Sequence, residues 1–152
     1  MVSDMGKINW DLVPFFNRNE FDDPNYVDSG DCIDGCLLMM LVKLRNEAGW
    51  PIITHAKIGG AVDVDGSHGH VENSYHLKVN GCSAVDFHFD TDESTRLQYN
   101  MISRLGFGGV GIYYDWHWNN QLLPIGFHVD TRPKTITQRW IRENGEYFYL
   151  LK

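Results

Sequence analysis

The chain has 152 residues, a length that fits one domain around one core. Its hydrophobic fraction of 43% and aromatic fraction of 13% exclude an intrinsically disordered chain. A formal net charge of −7 argues against a general nucleic-acid binder, which needs a basic face.

The first thirty residues read as irregular and acidic, with Phe15, Phe16 and Phe21 expected to pin them to the core. Met1 to Trp10 lacks the charged-then-apolar layout of a signal peptide. No run approaches the ~20 apolar residues of a membrane span. The expectation is a product made in the cytoplasm with no membrane insertion. Nothing demands a dimer, and a monomer is expected.

Cys32 to Ala48 is the best helix: Ile33, Leu37, Leu41 and Leu44 recur at helical spacing and Met40 widens the stripe. Gly49 and Pro51 are its stop signals. In that helix Cys32 and Cys36 share a face as small buried hydrophobes; with Cys82 they make an odd count, a poor disulfide framework. Residues 51–55 read as a short buried strand, and 57–73, rich in Gly, Asp and His, as a long polar loop. Ser83 to Phe89 alternates as a strand, with Ala84, Asp86 and His88 on one face and Val85, Phe87 and Phe89 on the other. Asp92 to Leu105 is a second helix, capped by Asp92 or Ser94 and ended by Gly106.

Gly108 to Tyr113 is a strand whose small residues imply close backbone approach. An aromatic loop (Asp115, Trp116, His117, Trp118) leads to a strand over Gly126–Thr131. Asn144-Gly145 marks a hairpin between strands at 139–142 and 146–151. The predicted class is α+β: a small, mainly antiparallel sheet with two or three packed helices in a single domain over 1–152.

Three residues carry the chemistry. His76 sits at a loop exit, Asp86 on the strand after it and His128 on a later strand. Two imidazoles and a carboxylate form a ligand set that zinc accepts while keeping an open position for water, which separates a catalytic site from a structural one. Asp130 falls on the same face as His128 by the period of two, and it could orient a ligand or act as a base. Residue types alone leave open a set of scattered surface and core histidines, of which the chain has seven in all.

The segments Ser74-Tyr75-His76, Ala84-Val85-Asp86-Phe87 and Gly126-Phe127-His128-Val129-Asp130-Thr131-Arg132 resemble the motifs of one family. It is the zinc D-alanyl-D-alanine carboxypeptidase and L-alanyl-D-glutamate endopeptidase family of peptidoglycan peptidases, in its phage and bacterial branch. Gly109-Val110-Gly111-Ile112-Tyr113, Arg139-Trp140, Glu20-Phe21 and Leu44-Arg45 before Pro51-Ile52 extend the similarity over nearly the whole chain. The resemblance implies a hedgehog-like fold, Zn²⁺ bound by His76, Asp86 and His128, and hydrolysis of peptidoglycan stem peptides. It implies action at the bacterial cell wall, reached by lysis machinery or within a virion. By it Ser74 is a substrate contact or a support to a ligand. The alternative is an inactive peptidoglycan-binding or phage structural module that retains the fold.

The chain departs from the family pattern in four places. Asp86 follows His76 by ten residues where relatives have seven, and Cys82 stands at the family glycine. The extra residues, Leu77 to Gly81, are either absorbed in a loop or displace His76. Thr54-His55-Ala56-Lys57 replaces a turn that carries a substrate-binding Arg, so Lys57 becomes the candidate for the substrate carboxylate, as a point charge without the Arg fork. Ile125 stands where many relatives carry an acid. Asp130 is therefore the first choice of catalytic base, with Glu72, His70 and His117 behind it. His68 and His70 read as part of a mobile polar loop. Trp118, with Trp116 and Tyr113-Tyr114, is a candidate wall of a substrate groove.

Overall fold

The computed structural model describes residues 7–150. Part of the N-terminal segment read for a leader, and Leu151 of the last predicted strand, lie outside these residues. Asp34, not Cys32, starts the first helix: its carboxylate accepts from the Leu37 N–H at 2.9 Å and caps α1 (Gly35–Ala48). Cys32 ends a separate 3-10 turn (Ser29–Cys32), so it does not share a helical face with the exposed Cys36. Gly49, at φ 77°, closes α1 in the left-handed conformation that glycine adopts without strain. Ser94 caps α2 (Thr95–Ser103).

The strands are β1 (Ile52–Thr54), β2 (Ala84–Phe89), β3 (Gly109–Tyr113), β4 (His117–Trp118), β5 (Gln121–Leu122), β6 (Gly126–Asp130), β7 (Gln138–Glu143) and β8 (Glu146–Tyr149). Six form one sheet in the order β1-β2-β6-β3-β7-β8. Only the β3–β7 pair is parallel; the other pairs are antiparallel. The expected α+β class, with a mainly antiparallel sheet and two helices, is what the chain forms. The aromatic loop holds a small hairpin of its own, β4–β5, which the pattern missed. Asn119 and Asn120, at φ 50° and 63°, make its turn, and asparagine is among the few non-glycine residues at home there.

The alternation in β2 sorts its two faces. Val85, Phe87 and Phe89 join Phe127 and Val129 of β6, and Leu37, Leu41 and Leu44 of α1, in one buried apolar cluster. Phe16 and Phe21 belong to it, but Phe15 does not: it is half exposed, with the Arg45 guanidinium 4.7 Å above its ring. Cys82 is buried in the same cluster, and burial pushes its thiol up to about 12, which keeps it protonated and apolar in behaviour. The close approach expected of β3 is real at two glycines. A Cβ on Gly109 would meet the Asp130 carboxylate at 2.5 Å, and one on Gly111 would meet the Trp140 indole at 2.5 Å. No helix among the described residues is long and apolar enough to cross a membrane.

Candidate metal centre

The polar face of β2 and β6 is built by register. Asp86 pairs directly with His128, so antiparallel pairing sets both side chains on one face, side by side. His76 comes from outside the sheet. Its carbonyl accepts from the Asp63 N–H at 3.1 Å, and the Asp63 carbonyl accepts from the Lys78 N–H at 2.9 Å, which fastens the turn on both sides. Ser74 Oγ accepts from the His76 N–H at 3.3 Å.

The extra residues between His76 and Asp86 are absorbed in a loop. They coil as a 3-10 turn (Lys78–Asn80), reverse at Gly81 and Cys82 with φ of 100° and 49°, and return where the Ser83 N–H donates to the Tyr75 carbonyl at 2.8 Å. His76 is not displaced. Its Nε2 lies 3.4 Å from Asp86 Oδ1, and His128 Nδ1 lies 3.0 Å from the same oxygen.

Those distances suit an ion. Ligands about 2.0–2.1 Å from a tetrahedral zinc stand about 3.3 Å apart. The tautomers suit it too. His76 Nδ1 donates to the Ala61 carbonyl at 3.1 Å, leaving Nε2 with its lone pair toward Asp86. His128 Nε2 donates to Asp130 Oδ2 at 2.8 Å, leaving Nδ1 toward Asp86. An imidazole whose far nitrogen is tied to a carbonyl or carboxylate is the usual supporting arrangement behind a metal ligand. The His76 and His128 rings pack edge to face, with centroids 5.1 Å apart and planes at 71°.

A third imidazole, His70, has a ring nitrogen within 4.8 Å of donor atoms of His76 and Asp86. Its ring stacks on His76 with centroids 4.3 Å apart and planes 9° apart. The stacking holds the two imidazoles face to face beside Asp86. The donor atoms that all lie within 4.8 Å of one another are thus those of His70, His76 and Asp86, while His128 meets the group through Asp86 Oδ1 at 3.0 Å.

Charge follows this arrangement. Burial alone would lower the His128 pKa, but hydrogen bonds to Asp130 and Asp86 outweigh it and raise the value to about 9. Burial works against the charged form of Asp86, yet the charge on His76 and the bonds from both imidazoles hold that carboxyl far below its ordinary range. A positive charge is thus favoured at the point where these side chains meet, whether a proton or a metal ion supplies it.

Asp130 is fully buried and faces away from a solvent-side role. Arg132 grips it with Nε on Oδ1 at 2.8 Å and with one terminal nitrogen on Oδ2 at 2.6 Å. With its other bonds, from His128 Nε2 and the Arg132 N–H, the carboxylate fixes the His128 ring and has no oxygen left for a water in the cavity. Of its two predicted roles, these bonds suit the orienting one better than that of a base.

A cavity of about 800 Å³ opens over the centre. His70, Ser74, His76, Asp86 and His128 line one part, while Arg142, Trp116 and Tyr113 line another. Lys57 and Trp118 are not on its wall: Trp118 stacks on His55 at 4.6 Å and the Lys57 ammonium sits 5.6 Å from the Trp118 ring. Two guanidinium groups line the cavity: Arg132, committed to Asp130 and Gln138, and Arg142, 4.4 Å from the Tyr113 ring with Nε on Asp115 Oδ1 at 2.9 Å. Sequence reading missed Arg142 because β7 contributes it through the parallel pairing with β3, a long-range contact that no local motif announces. Glu72 and His117 are exposed and off the wall.

The loop expected to be mobile is clamped by two buried carboxylates. Asp23 accepts from His68 Nε2 at 2.8 Å and from the Val64 N–H at 2.9 Å. Asp63 accepts from His70 Nδ1 at 2.7 Å and from the Gly66 N–H at 2.8 Å. Asp23, Asp63 and His68 also lie close enough to hold an ion, but these bonds already occupy both carboxylates, and the group acts as a clasp. A spaced Asp–His pair at 63 and 70 was the available signal for this clasp.

Scans against models of known families, curated proteins and solved structures each found no match to this chain.

Proposed function

We propose that the protein is a zinc-dependent peptidase that hydrolyses peptidoglycan stem peptides, as a D-Ala-D-Ala carboxypeptidase or an L-Ala-D-Glu endopeptidase with a hedgehog-like arrangement. The observation that carries the metal part is the pair of distances to Asp86 Oδ1, 3.4 Å from His76 and 3.0 Å from His128, with both far nitrogens tied down. The substrate class comes from the resemblance of the motifs around these three residues.

In this reading His76, Asp86 and His128 hold the ion and Asp130, fixed by Arg132, keeps His128 turned correctly. A zinc ion there supplies Lewis-acid polarisation of a peptide carbonyl and a water of lowered pKa. Ser74 supports His76 from the cavity wall. Arg142 takes the place expected for Lys57 as the group that receives a substrate carboxylate, and its planar guanidinium can do so with two bonds. The buried ligand-bearing strands exclude bulk water behind the site, while the cavity admits the peptide from one side.

Incubation with purified muropeptides, followed by mass spectrometry, tests the reading. Loss of a terminal D-Ala identifies the carboxypeptidase and a cut after L-Ala the endopeptidase; no product from the zinc-loaded protein contradicts both. One observation favours the second reading, an inactive binding module: Ile125, three residues before His128, is buried and apolar where many relatives of the resembled family carry an acid. Zinc bound stoichiometrically without cleavage, and with retention on peptidoglycan, would establish that module.

A further inference from the structure

Tyr113 lines the cavity with its hydroxyl only half used. The phenol oxygen accepts from the Trp140 indole N–H at 3.3 Å, and among the described residues its own hydrogen has no acceptor. A tyrosine keeps that hydrogen at neutral pH, so a donor is left over on the wall. The register of β3 places it. Gly111 pairs with His128 on one side and Trp140 on the other, and Tyr113, two residues on, stands on the same face. Because Gly111 has no side chain, the indole lies across the strand: a Cβ there would meet Trp140 Nε1 at 2.5 Å. Trp140 thus links the two, with its ring 5.2 Å from the His128 ring and its N–H on the Tyr113 hydroxyl. That N–H takes a lone pair of the phenol oxygen and turns the O–H away from the indole. The phenol ring itself is clamped. Trp116 packs against it edge-on at 4.7 Å, and the Arg142 guanidinium lies 4.4 Å from its centroid.

We infer that Tyr113 is a catalytic residue of this site, donating its O–H to the carbonyl oxygen of the scissile peptide, and that Trp140 is its positioning residue. The inference rests on the peptidase reading above. When the water oxygen bonds to the carbonyl carbon, the π pair of the C=O bond moves to the oxygen and leaves it negative. The Tyr113 O–H donates to that oxygen and keeps its proton throughout. When the C–N bond breaks, the pair returns to re-form C=O, and a proton from the attacking water ends on the leaving nitrogen. A fixed donor aimed at charge that develops only in this step speeds it without holding the substrate more tightly.

The test uses the zinc-loaded protein, a stem peptide whose cleavage is followed by mass spectrometry, and a phosphinate analogue of that peptide. The charged phosphinate oxygens stand where the carbonyl oxygen becomes negative. Tyr113→Phe keeps the ring and loses the O–H. Its zinc content stays at the wild-type level, its kcat falls roughly 10²–10³-fold and its KM stays close to wild type. Its affinity for the phosphinate, read by titration calorimetry, falls by a similar factor. Trp140→Phe keeps zinc and KM but loses part of kcat and part of the phosphinate affinity, a split that a packing role alone would not give. Wild-type kcat in Tyr113→Phe overturns the inference, as does a raised KM with kcat unchanged, which would make Tyr113 a binding contact. Loss of zinc from Tyr113→Phe also overturns it, because the hydroxyl would then serve the metal site. Wild-type phosphinate affinity in zinc-loaded Tyr113→Phe overturns it independently of turnover, and in Trp140→Phe it removes the positioning role. If the wild-type protein binds zinc and cleaves but Tyr113→Phe behaves as wild type, Tyr113 alone loses its role. If the wild-type protein binds no zinc or cleaves nothing, the peptidase reading fails and takes the inference with it.

Discussion

The two faces of the β2–β6 pair are equally dry and chemically opposite. On one, Val85, Phe87, Phe127 and Val129 have no exposed surface. On the other, Asp86, His128 and Asp130 are all less than a tenth exposed. The apolar face gains from burial at about 25 cal/mol per Å² of surface removed from water. The polar face has desolvation working against it, and it is tolerable only because each group is bonded to another: Asp86 to two imidazoles, His128 to two carboxylates, Asp130 to Arg132. One strand pair thus carries a stabilising face and a costly one, and costly buried charge is where function is most often found.

The sharpest way to break this comparison is to substitute adjacent residues of β6. Phe127→Ala should destabilise the fold by ~3–5 kcal/mol, read by denaturant unfolding, without altering zinc stoichiometry in the folded protein. His128→Ala should lose stoichiometric zinc even where the protein stays folded, read by metal analysis. If both variants lose zinc in proportion to stability, the two faces are not independent.

A smaller effect is expected one bond further out. Asp130→Asn keeps the size of the side chain but weakens its hold on His128 Nε2 and leaves Arg132 without its charge partner. Zinc affinity should fall roughly 10–100-fold, measured by competition with a chelator. An unchanged affinity would remove the orienting role from Asp130.

The pH dependence of the metal-free protein separates two buried histidines with opposite shifts. Burial pushes His55 down to about 4, so the unfolded chain takes up a proton before the folded one does. Its contribution to stability is present above about pH 6.5 and is lost as pH falls toward 4. His128 is shifted the other way. Its contribution is present below about pH 6.5 and is lost as pH rises through about 9. Thermal unfolding of EDTA-treated protein should therefore decline on both sides of pH 6.5. Zinc should abolish the alkaline decline, because the metal replaces the proton between His128 and Asp86. The least effect belongs to Lys57→Ala, which removes an exposed ammonium from above Trp118 and should change stability within about 0.5 kcal/mol and leave zinc binding alone.

What the sequence disclosed follows the range of the interaction. Alternation placed Asp86 and Val85 on opposite faces of β2, and spacing found α1 and α2, because both signals are local. The three proposed ligands come together because the β2–β6 register sets Asp86 against His128. The start of α1 was misjudged because Ile33 continues the apolar spacing backwards, while the Asp34 carboxylate decides the cap. Lys57 and Trp118 were nearby in sequence logic but not in space, and Arg142 was the opposite case. The clasp of Asp23 and Asp63 on His68 and His70 turned a loop read as mobile into a built wall, through pairs up to 45 residues apart.

Zinc content tests the central claim most directly. Protein purified without chelator, then measured by atomic emission beside its His76→Ala and His128→Ala variants, should carry one zinc per chain in the wild type and none in either variant. EDTA should lower the melting temperature of the wild type alone. A wild-type protein that holds no zinc when zinc is supplied, and melts identically with and without EDTA, would contradict the account.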